Sequence, residues 1–143
     1  KAAHYSSQKK NKLAVALYGE AAELSVELDA DARRTRLIAL GNHAQLLGRL
    51  DRTRKARKTA ATAYALALEL VNGSSQSARA QGDAVSAGLR YARLLRAPPG
   101  ANRRRARTVA RTERDRFRAL PGKKSKRQKT LGKGLDALLA ELR

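Results

Sequence analysis

The chain has 143 residues, the size of one ordinary domain, and its 32 Lys and Arg against 12 Asp and Glu leave a net charge of +20. With no cysteine there is no disulfide framework, thiolate zinc site or cysteine nucleophile, and no apolar run approaches the roughly 18 residues of a membrane span. Only 28 residues are Leu, Ile, Val or Phe, so the isolated chain is expected to be marginal, and a polyanion that neutralised it would stabilise it.

Ala and Leu supply 49 residues, while Gly and Pro cluster at a few places, which points to an all-α chain. Lys1–Asn11 is polar and basic and reads as a flexible arm; Lys1 in place of Met suggests a processed chain or a fragment. The first helix is expected from about Lys12 to Leu28, with Leu13, Leu17, Ala21, Leu24 and Leu28 as its apolar stripe and Glu20, Glu23 and Glu27 beside it. A second helix should cover about Arg33 to Leu47, burying Leu37, Leu40, Ala44 and Leu47 with Ile38 and Gly41 alongside, and Gly48 is placed to end it. The third, about Asp51 to Val71, has a seam of Ala56, Ala60, Ala63, Ala67 and Leu70, small enough for close helix approach. Asn72-Gly73-Ser74-Ser75 reads as a loop. The fourth helix, about Ser77 to Arg96, turns Ala84, Gly88, Tyr91 and Leu95 inward before Pro98-Pro99-Gly100 breaks the chain. A fifth, about Asn102 to Leu120, packs through Ala106, Val109, Ala110 and Phe117. Residues 12–120 then form a helical domain of about five helices. Residues 121–130 read as a polybasic linker, and 131–143 as a terminal amphipathic helix carrying Leu131, Leu135, Leu138 and Leu142.

The stretch Leu40-Gly41-Asn42 through Gly48-Arg49-Leu50-Asp51 resembles a tetratricopeptide repeat, with Gly41 at the close crossing, Gly48 at the turn and Ala60 at a small position of the second helix. Ala44 stands where that family has an aromatic, and Thr53 where it has Ala. The resemblance implies antiparallel helical hairpins stacked as a tetratricopeptide-like α-solenoid, because such pairs close a core only against neighbours. It also implies a scaffold or binding role.

Arg104, Arg107, Arg111, Arg114 and Arg118 alternate spacings of three and four, which places them on one helix face roughly 20 Å long at about 1.5 Å per residue. Planar guanidinium forks suit phosphate oxygens; the bland alternative is a solvated face in an Arg-rich chain. A second patch, Arg49, Arg52, Arg54, Lys55, Arg57 and Lys58, lies where a helix begins and the macrodipole disfavours cations, so an anion is expected there. Lys123, Lys124, Lys126 and Arg127 make the linker a candidate to order along nucleic acid. Aromatics are too scattered for a base-stacking platform, and no Gly-rich phosphate loop or zinc-finger signature appears. His4 lies in the arm, His43 reads as a partly buried packing residue, and the carboxylates of the first helix have no His or Cys nearby to share a metal.

These features point to a non-enzymatic protein without a cofactor, a metal or a small-molecule substrate. Its expected partners are structured RNA, through phosphate contacts, and neighbouring proteins of one assembly, away from membranes. The expected setting is a ribosome, an organellar one included, or another ribonucleoprotein, in the cytosol or an organelle matrix such as the mitochondrial one. The rival expectation is a tetratricopeptide-type scaffold or regulator whose basic faces meet acidic protein segments.

Overall fold

A computed structural model of the chain describes the backbone of residues 8–24, 30–73 and 77–143 and the side chains of 11–20, 30–73 and 77–143. Among these residues the regular structure is helical throughout: α1 (Gln8–Leu24), α2 (Ala30–Arg49), α3 (Thr53–Gly73), α4 (Ala78–Arg96), α5 (Arg103–Arg118) and α6 (Lys126–Glu141). Each helix packs on the next, and α2 and α6 also touch α4, so α4 has four helical neighbours. Its composition explains the position. Ala84, Gly88 and Ala92 are buried at four-residue spacing, a row of small side chains that lets neighbouring axes come close. Val85, Leu89 and Leu95 fill the space between, against Leu40 of α2, Leu66 of α3, Val109 of α5 and Leu135 of α6 in one cluster. Val15, Leu47 and Ala56 form a smaller cluster under α1.

Local signals set most helix ends. The Ser77 and Asn102 side chains accept from the backbone N–H of Ala80 (3.1 Å) and Arg105 (3.0 Å). Ser125 and Gln128 make a reciprocal capping box, at 3.1 and 2.8 Å. At the end of α2, Asp51 rather than Gly48 takes the left-handed conformation, with φ 58°. The N–H of Arg52 donates to Leu47 O (2.9 Å) and that of Asp51 to Gly48 O (3.1 Å), the paired pattern that closes a helix C-terminus. A short polar side chain tolerates that conformation nearly as well as glycine does.

Three expectations change. Leu13 and Leu17 are 59% and 56% exposed; among the described residues α1 packs on α2 instead through Val15, with Gly19 facing His43. Ile38 is likewise exposed. Residues 121–130 are not a linker along their length. The capping box starts α6 at Lys126, so the open segment is short, and Leu135, Leu138 and Leu142 join the same core as α2–α5. The arm assigned to residues 1–11 is helical from Gln8 on. Lys1–Ser7, Leu28 and the loop at 74–75 lie outside the described residues, as do the Glu23 and Glu27 side chains. Among the described residues no helix is long and apolar enough to cross a membrane.

Candidate nucleic-acid interface

The Arg row of α5 divides in two. Ala106, Val109 and Ala110 are buried against α4, which leaves Arg104, Arg111 and Arg118 exposed on the outer edge. Their seven-residue spacing sets them about 10 Å apart. Arg107 instead turns to the end of α6, where its Nε donates to Leu142 O at 3.0 Å and its Nη2 to the same oxygen. Arg103 donates to Glu141 O (2.9 Å), and Arg96 pairs with the Glu141 carboxylate at 2.7 Å. Three guanidinium groups thus gather at a helix C-terminus, where unsatisfied carbonyls and the macrodipole favour cations. Arg114 is half-buried, and its Nε is buried with no hydrogen-bond partner among the described residues.

The patch at the start of α3 divides the same way. Arg57 donates from Nε to Leu94 O (2.9 Å) and from Nη2 to Ala97 O (2.8 Å) and Pro99 O, so it closes the end of α4. Arg54, Lys55 and Lys58 are exposed, and Arg52 is half-buried. Arg52, Arg54 and Lys55 line an open cavity of about 550 Å³ together with Asp51 and Pro99. At the third basic stretch, Lys124 donates to Leu120 O (3.0 Å) and lies 5.4 Å from the centre of the Phe117 ring, whereas Lys123, Lys126 and Arg127 remain exposed. Lys126 and Arg127 occupy the first turn of α6, another position where a bound anion would offset helix-dipole repulsion.

Two features escaped the sequence reading. Glu113 is fully buried on α5; it accepts from Tyr64 Oη of α3 (2.6 Å) and Arg116 Nε (2.8 Å), with its stem lying over Gly88 of α4. The second is a groove of about 530 Å³ along α4, flanked by α2 and α6 and lined by Arg49, Arg90, Arg93, Leu89, Leu94 and Leu131. Arg90 and Arg93 lie three residues apart in a stretch, Val85–Arg96, that contains no acid, and that was the available signal.

His43 is half-buried beside Gly19, and burial holds its pKa below the ordinary histidine value. Among the described residues no three His, Asp or Glu side chains gather where a metal could sit. Comparison with protein-family models, curated proteins and solved structures finds no match for the chain.

Proposed function

We propose that the chain is a non-enzymatic, tetratricopeptide-like helical protein that binds structured RNA through phosphate contacts, as a structural subunit of a ribosome or another ribonucleoprotein. The supporting observation is the fate of the charges. Asp31, Asp83, Glu113 and Glu141 pair with Arg79, Arg34, Arg116 and Arg96, and so are taken by arginines outside the basic faces. Arg54, Lys55 and Lys58 on α3, Arg104, Arg111 and Arg118 on α5, and Lys126 and Arg127 on α6 are exposed and make no ion pair with a described residue. Rows of fixed guanidinium and ammonium groups with few aromatics favour backbone phosphates over base edges. Sites on several helices suit a folded RNA that presents phosphates at several angles.

The test is purification of the full chain from cells with and without nuclease. The proposal expects RNA in the untreated sample and its loss, with any assembly partners it bridges, after nuclease. Protein partners retained in full after nuclease, with no RNA in the untreated sample, would instead identify a scaffold for acidic protein segments.

A further inference from the structure

The groove along α4 is lined by three arginines, Arg49, Arg90 and Arg93, and by no acid. Arg90 is half-buried, its guanidinium lying against Gly41 of α2 where even a methyl group would collide. Arg93 lies against Gly134 of α6, whose added Cβ would come within 2.7 Å of Nη2. Neither arginine makes a hydrogen bond or ion pair with a described residue. Asp83, the acid at the far end of α4, is already held by Arg34 at 2.8 and 3.3 Å. Arg127 lines the adjoining cavity with Arg90, and Arg49 lines the groove from α2. Burial first, then the nearby Arg127 and Arg93, push the Arg90 guanidinium below its ordinary pKa, as expected of like charges packed together without a counter-ion. Asp83 and Arg34 line the cavity that Arg90 shares with Arg127, but a half-buried cation that makes no ion pair of its own is costly unless an anion completes the site.

Charge count and shape decide what kind of anion. Three guanidinium groups around one groove, those of Arg49, Arg90 and Arg93, exceed what a single carboxylate or phosphodiester neutralises. A phosphomonoester carries about −1.5 to −2 and offers three acceptor oxygens to planar forks. The groove has far more room than a phosphate group fills, and Leu94 and Leu131 give it apolar walls beside the charges, against which the nucleoside next to the phosphate can rest.

We infer that the groove between α2, α4 and α6 binds the terminal phosphate of an unpaired RNA strand, with Arg49, Arg90 and Arg93 as its ligands. The inference rests on the RNA-binding reading above. Its test measures the affinity of the full chain for one short single-stranded RNA in three forms: 5′-phosphorylated, 3′-phosphorylated and unphosphorylated. One phosphorylated end should bind about tenfold tighter than the unphosphorylated strand, the gain expected of charged hydrogen bonds. Inorganic phosphate should erase the difference, and Arg90→Gln with Arg93→Gln should abolish it. If circular dichroism shows that the double variant has lost helix, Arg49→Gln, at an exposed position of the groove, should still reduce the preference. Equal, salt-sensitive binding of all three strands overturns the groove site and leaves the RNA reading standing; no binding of any RNA overturns both. Stronger competition from a phosphoserine peptide than from the phosphorylated strand overturns the assignment to RNA.

Discussion

Glu113 joins three helices at one buried point, and its chemistry makes the fold pH-dependent. Burial pushes its pKa above the ordinary glutamate value, and the hydrogen bonds from Tyr64 and Arg116 oppose that shift without cancelling it. A carboxyl that holds its proton more tightly folded than unfolded favours the fold at low pH, and that contribution is lost as pH rises through the folded pKa. The stability of the native protein minus that of Glu113→Gln should therefore fall as pH is raised from about 4 to about 7, measured by urea unfolding. A gap that stayed constant or widened with pH would show that burial does not dominate at this site. Gly88 supplies the complementary prediction. An added Cβ would collide with the Glu113 stem and come within 3.0 Å of the Tyr64 ring, so Gly88→Ala should cost about 1–3 kcal/mol in the same unfolding measurement, despite alanine's better helix propensity. Gly88 was legible as an inward position of its helix. Glu113 was not, although it falls on the same face as Ala106, Ala110 and Phe117. An acid there reads as solvent-facing until its partner is known, and Tyr64 lies on another helix, 49 residues away.

At the scale of helices, periodicity showed which face of a segment is apolar but not whether anything covers it. The inner residues read for α2 and α4, such as Leu37, Leu40, Tyr91 and Leu95, are buried because helices pack on both sides of them. The Leu13 and Leu17 stripe of α1 is no weaker a pattern, yet both side chains are exposed, because among the described residues α1 packs through its Val15 side and nothing covers the other. The basic rows show the same limit. Spacing placed five arginines on one side of α5, but the C-terminus of α6 takes Arg107, and the end of α4 takes Arg57 from the other patch. Structure and charge therefore separate by residue. Arg107→Gln should lower stability by about 1 kcal/mol, because carbonyls at the end of α6 lose a charged donor. The triple change Arg104→Gln, Arg111→Gln and Arg118→Gln should leave the melting midpoint unchanged or slightly raised, because three mutually repelling charges are removed, and should weaken RNA binding. Thermal melts and RNA titrations on both variants check this. Equal RNA affinity for the triple variant and the native chain would make the outer edge of α5 a solvated face.

For the whole molecule, the Ala- and Leu-rich composition and the Gly and Pro breaks made the all-α architecture and the order of six helical segments legible. The groove was not legible, because Arg49 meets Arg90 and Arg93 from a helix far away in sequence and Leu131 of α6 closes its other side. The same composition links fold to function. A core in which alanines are as numerous as leucines must hold together a chain of net charge +20, so neutralising surface charge should also stabilise the fold. A saturating structured RNA should raise the melting midpoint, and an unchanged midpoint would separate binding from stability. The most direct test of the central claim is the salt dependence of RNA affinity. If about six to eight phosphates are neutralised, log K against log salt should have a slope of about −4 to −7. A slope near −1 would contradict phosphate binding as the role of these basic faces.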